Sequence, residues 1–139
     1  MSFVNPPADE IRALLERVKT IAVVGLSPRP DRPSHSVARA LQRFGYRIVP
    51  VRPALTEVLG EPAYARLTDI PFAVDLVDVF RAPEHVPAIV EEAIAIGAPA
   101  IWLQDGVVHE AAAERARAAG LTVVMDRCIY RDHMTLMRP

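Results

Sequence analysis

An α/β domain with a doubly wound, five-stranded and mostly parallel sheet is what this chain predicts, on three observations. Five short, nearly continuous apolar runs recur along its 139 residues. Segments with apolar residues at helical spacing lie before and between them. Glycines (Gly45, Gly97, Gly120) close three of those helical segments. Apolar runs without alternation suit strands covered on both faces. Strands alternating with helices require right-handed crossovers and hence parallel pairing. The length fits a single domain over residues 1–139.

Residues 1–8 read as a loose lead-in. Asp9 is placed to cap a first helix over residues 10–19, where Ile11, Leu14, Leu15 and Val18 form an apolar stripe. Residues 20–25 are the first strand. Ser34 or Ser36 is placed to cap a second helix, with Val37, Ala38, Leu41 and Phe44 inward and Gly45 at its end. Residues 46–51 form the second strand, and Pro53 and Pro62 bracket a looser connection containing Gly60. The third strand is expected over residues 73–80. Pro83 then opens a third helix that ends at Gly97. The fourth strand covers residues 100–103, a helix covers 108–119, and the fifth strand covers 121–125. Asp126 is placed to cap a final helical turn.

Composition removes several function classes. The net charge is −1, so no global basic field draws the chain to nucleic acid. One cysteine, Cys128, excludes an intramolecular disulfide framework and a cysteine-based zinc cluster. The four histidines lack metal-ligand spacing, so no metal site is expected. The start of the chain has no signal-type run, and the apolar stretches fall short of the ~20 residues that span a bilayer. The expected setting is the cytoplasm.

In a parallel sheet, the loops after the strands gather on one edge, where ligands bind. Here that edge collects Arg29 and Arg32, Arg52, and Arg81 from well-separated segments. The first of these loops leads into a helix start, which favours anions. An anionic, phosphorylated small molecule is the implied ligand. The usual dinucleotide loop is absent, because Leu26, Ser27, Pro28, Arg29 and Pro30 follow Gly25 where further glycines are required. The second strand ends in Val51-Arg52-Pro53 rather than in an acid that would hold a ribose. An arginine there suits a phosphorylated ribose, which disfavours NAD and leaves NADP and coenzyme A open.

Gly25-Leu26-Ser27 with its Pro/Arg loop, Ser34-x-Ser36 and Val49-Pro-Val-Arg-Pro53 resembles the small stand-alone CoA-binding domain proteins. Leu59-Gly-Glu-Pro-Ala-Tyr64, Val74-Asp-Leu-Val-Asp-Val-Phe-Arg81, Ile101-Trp-Leu-Gln-Asp-Gly106 and Val124-Met-Asp-Arg-Cys128 extend the resemblance over residues 11–134. It implies a Rossmann-like domain, similar to that of the succinyl-CoA synthetase α-subunit, and coenzyme A as ligand. By the same resemblance Gly25, Ser27 and residues 29–36 hold the diphosphate. Val51, Arg52 and Pro53 border the adenine and ribose, and Phe80, Arg81 and Pro83 line the groove towards the pantetheine. The synthetase's second domain, with its catalytic histidine, has no counterpart here, so ligase chemistry does not transfer.

Candidate chemistry beyond binding is sparse. Cys128 follows Asp126 and Arg127 on the ligand edge, where a helix start and a cation make a thiol more nucleophilic. A mixed disulfide between Cys128 and the CoA thiol is one reading, and a small buried hydrophobe is the other. The turn at Gln104-Asp105-Gly106 can present amides to pantetheine or to an acyl carbonyl. His35 reads as a solvated loop histidine and His109 as a helix start. Alternation sends Asp75 and Asp78 to opposite faces, one near the strand start and the other satisfied by backbone or arginine. Trp102 reads as core. The leading expectation is a non-catalytic module that binds CoA or an acyl-CoA as sensor or carrier. The alternatives are an enzyme or subunit acting on acyl-CoA, and an NADP-linked reductase. A homodimer through an edge strand or the first helix is compatible with the sequence, but nothing in it specifies one.

Overall fold

A computed structural model describes residues 3–137. Its main sheet contains β1 (Thr20–Val24), β2 (Arg47–Val51), β5 (Leu76–Val79), β6 (Ala100–Leu103) and β7 (Thr122–Met125). They pair in the order β2-β1-β5-β6-β7, all parallel. Two further strands, β3 (Glu57–Val58) and β4 (Glu61–Pro62), form a small antiparallel ribbon after β2. Leu59 and Gly60 turn that ribbon with φ of 55° and 76°, as a two-residue hairpin with both central φ values positive requires.

Helices α1 (Ala8–Arg17), α2 (Pro33–Arg43) and α5 (Ile129–Leu136) cover one face of the sheet. Ile11, Leu14, Leu41 and Ile129 meet Ile21, Val23 and Trp102 there. Helices α3 (Val86–Ala95) and α4 (Glu110–Ala118) cover the other, with Val90, Ala93, Ala113 and Ala116 against Val77, Val79 and Ile101. Burial on both faces explains why the strands are apolar throughout rather than alternating. The domain is thus doubly wound and Rossmann-like. The order reverses between β1 and β5, and the crevice beyond their carboxyl ends is the expected ligand position.

Several local expectations are corrected. The lead-in is anchored over residues 3–8, while residues 1–2 lie outside the described residues. Phe3 is buried in the core, and the Asn5 amide donates to the Met125 carbonyl (2.9 Å) and accepts from the Met125 N–H (2.7 Å). Helix α1 begins before Asp9, because the N–H groups of Glu10 and Ile11 already bond the Pro7 carbonyl. Neither Ser34 nor Ser36 caps α2. Pro33 supplies the preset φ of a first helical residue, which moves the cap to Arg32.

The third main strand is shorter than expected. The Asp75 carboxylate accepts from the N–H groups of Lys19 and Thr20, a latch at the foot of β1 that precedes regular pairing. Pro83 opens a 3-10 turn over Pro83–His85, and α3 proper begins at Val86. Asp126 takes φ +60° and accepts from the Gly106 N–H at 2.7 Å, so it ties two loops together instead of capping α5. His109 does cap α4, accepting the Ala112 N–H on Nδ1 at 3.1 Å. Trp102 is fully buried and donates from Nε1 to the Arg127 carbonyl at 2.8 Å.

Two buried polar groups depart from expectation. His35 lies inside α2 and is buried, with no partner for Nδ1 among the described residues. Asp78 is wholly buried in β5, and neither carboxyl oxygen has a partner among the described residues. Desolvation pushes its pKa well above the usual carboxylate range.

A candidate anion cleft at the carboxyl edge of the sheet

The carboxyl ends of the strands open into a cleft of about 820 Å³. Gly25 sits at its centre with φ +87°, where a β-carbon would lie 2.5 Å from the Phe80 carbonyl oxygen and 2.8 Å from Arg81 Cδ. Only glycine allows the backbone after β1 to pass so close to the end of β5. The ladders extend to this point, with the Gly25 N–H on Val51 O and the Phe80 N–H on Val24 O, both 2.9 Å.

The loop beyond Gly25 is braced from within. The Ser27 N–H donates to Ser34 Oγ at 3.0 Å, and the Arg29 N–H donates to Ser27 Oγ at 3.1 Å. Both serines are buried. Ser34 therefore fixes the loop from the first turn of α2, and Ser36, exposed, only donates from Oγ to the Pro33 carbonyl.

Arg29, Arg32, Arg52 and Arg81 all line the cleft. They come from the loops after β1, β2 and β5. Arg29 has one exposed ion pair, to Asp31 at 3.3 Å. Arg32, Arg52 and Arg81 have no ion-pair partner among the described residues. Three unpaired guanidinium groups around one concavity create a local positive potential in a chain that is otherwise charge-balanced. Arg forks match phosphate oxygens.

Phe80, Gln104 and Cys128 also line the cleft. Gln104 is 4 % exposed and accepts the Ile129 N–H on Oε1 at 3.1 Å. Cys128 is half-buried and precedes the first residue of α5. Arg127 is not a free cation beside that thiol, because Asp132 holds its guanidinium in two bonds of 2.6 and 2.7 Å.

Five of the expected binding residues do not line the cleft. Leu26 and Val51 are buried in the core, and Ser36, Pro53 and Pro83 stand outside its wall. Val37 and Val107 were missed as lining residues. Val37 lies one turn along α2 from Pro33, a position that helical spacing assigns equally well to core. Val107 follows the Gln104–Gly106 turn and carries no chemical signature. No group of three His, Cys, Asp or Glu is gathered to hold a metal among the described residues. No helix there is long and apolar enough to cross a membrane.

A doubly wound α/β domain with a glycine at its switch point and an arginine-lined cleft defines a Rossmann-like class of protein. The chain belongs to the CoA binding domain family, whose model matches residues 19–134. Uncharacterized protein YneT of Bacillus subtilis (strain 168) is 46 % identical over 129 residues, covering 93 % of this chain and 96 % of the relative. A hypothetical protein from Pyrococcus horikoshii OT3 has a solved structure similar at a TM-score of 0.92 and 37 % identity, covering 99 % of this chain and all of that one. ADP-forming acetate–CoA ligase I of Archaeoglobus fulgidus is 34 % identical over 74 residues, which are 53 % of this chain and 11 % of the ligase.

Proposed function

We propose that this protein binds coenzyme A or an acyl-CoA in the cleft, as a cytoplasmic carrier or sensor that performs no chemistry of its own. The convergence of four arginines on the β1/β5 switch point carries the reading. Two clusters of phosphate charge on the 3′ and 5′ sides of one ribose match arginines set on separate loops. The braced Gly25–Ser27 loop with Arg29 and Arg32 holds the diphosphate. Arg52 meets the ribose phosphate. Phe80 and Arg81, with Pro83 nearby, guide the pantetheine along the sheet edge towards Gln104 and Cys128.

Cys128 adds one covalent option with oxidised CoA. Its thiolate attacks one sulfur of the CoA disulfide, a protein–CoA disulfide forms, and one CoA thiolate leaves. Intact mass of protein incubated with oxidised CoA reads this directly. Added CoA mass on the native chain and none on Cys128→Ser is the expected result.

Calorimetric titration of protein freed of ligand by unfolding and refolding tests the main reading. CoA is expected to bind at micromolar level or tighter, about −8 kcal/mol or better, with NADP much weaker. Tight NADP binding without CoA binding would replace the proposal with an oxidoreductase reading.

A further inference from the structure

Ser27 and Ser34 spend their side chains on the loop, but Gln104 keeps half of its amide free. Its Oε1 faces the Ile129 N–H at 3.1 Å. A backbone N–H only donates, so the atom facing it is the oxygen, and the NH2 group turns the other way. That NH2 has no partner among the described residues, although the residue is only 4 % exposed and lines the cleft. The neighbouring Asp105 does not take it up, because its carboxylate holds Arg131 at 2.9 Å and 3.1 Å.

The position matters as much as the donor. Along the sheet edge Gln104 follows β6, two strands beyond the switch-point glycine that follows β1. Strand spacing makes that roughly 10 Å. The Gln104–Ile129 bond also ties it to the residue after Cys128. A ligand anchored by phosphates at β1 and running along this edge therefore reaches Gln104 with its thiol-bearing end. A donor on a residue that lines the cleft is met by a carbonyl oxygen, whereas a thiol offers it only a weak acceptor.

We infer that Gln104 reads the thioester carbonyl of an acylated CoA, so that the ligand class of this cleft is the acyl thioester rather than the free thiol. This rests on the CoA reading above. A site built to bond a polar group discriminates against an analogue that lacks it. S-ethyl-CoA has the size of acetyl-CoA and no carbonyl at the thioester position, so the pair isolates the interaction.

Titration of the native protein with acetyl-CoA, S-ethyl-CoA and CoA is the test. Acetyl-CoA is expected to bind about tenfold tighter than S-ethyl-CoA, the size of one good hydrogen bond. Gln104→Glu keeps an oxygen for the Ile129 N–H and removes the NH2, so the ratio falls towards one. Equal affinity of the native protein for acetyl-CoA and S-ethyl-CoA overturns the inference and leaves CoA binding intact. So does an unchanged ratio in Gln104→Glu, which assigns the discrimination to a group other than Gln104. If none of the three ligands binds the native protein, the CoA reading itself fails. The native ratio decides the matter even if the variant does not fold.

Discussion

Gly25 and the Phe80 carbonyl approach so closely that a single methyl group cannot be placed between them, since it would stand 2.5 Å from the oxygen. The contact joins the ends of β1 and β5 and sets the floor of the cleft. Gly25→Ala must push the two backbone segments apart and also adopt φ near +87°. A loss of about 1–3 kcal/mol from overpacking alone is expected, read as a lower melting temperature, together with loss of CoA binding in calorimetry.

The Ser27–Ser34 bond is the second device that shapes the loop. Ser34→Ala leaves the buried Ser27 N–H without an acceptor, at a cost of about 1–3 kcal/mol. Ser36→Ala removes only an exposed bond to the Pro33 carbonyl. Thermal melts and CoA titrations of the two variants are expected to separate cleanly, with Ser36→Ala close to native in both.

Arg52 leaves β2 on the outer flank of the switch point. If it meets the ribose phosphate, Arg52→Ala weakens CoA more than dephospho-CoA, which lacks the 3′-phosphate. Parallel weakening of both ligands would move Arg52 to another part of the ligand. Because the contact is charge-assisted, the difference is also expected to shrink at high salt.

Asp78 makes stability depend on pH in an unusual direction. Burial holds its folded-state pKa well above that of the unfolded chain, near ~3.9. The stabilising proton is fully present below that unfolded value. As pH rises from there towards the folded pKa, the unfolded chain loses its proton while the native state keeps it, and stability falls. Asp78→Asn mimics the neutral acid at every pH. Its advantage in melting temperature over the native chain is expected to be small at pH 4 and to grow towards pH 8. A constant difference would mean Asp78 does not titrate between the two states.

Asn5 pairs with both backbone groups of Met125. Asn5→Ala is expected to lower stability by roughly 1–3 kcal/mol, two bonds of ordinary size, with CoA affinity unchanged. A matching fall in affinity would show that the clip also shapes the cleft.

The strands were the most legible part of the chain, because a strand buried on both faces must be apolar at every position. The 100–103 run is β6 without adjustment. Element starts were less legible, since they depend on which partner wins a backbone group. Asp75 was foreseen near a strand start, but its capture of the Lys19 and Thr20 amides, which shortens β5, is a bond across 55 residues. The cleft arginines could be read from strand-end positions alone. The roles of Ser34, Arg127 and Gln104 could not, because each is defined by a hydrogen-bond partner several residues or more away in the sequence. Asp78 and His35 went wrong for separate reasons. A polar residue in a core strand is normally matched, and the Asp78 carboxyl has no partner among the described residues; His35 was read as a loop residue, whereas α2 starts ahead of it at Pro33 and buries it.

Both rims of the sheet are partly closed. On the β2 side, Pro50 has no N–H, and its carbonyl and the Arg52 N–H are taken by Tyr64. On the β7 side, Asn5 occupies Met125 at both groups. Such blunted edges disfavour strand addition. At these points a second copy of this chain meets backbone groups already taken, so continuing the sheet there would first have to displace Tyr64 or Asn5.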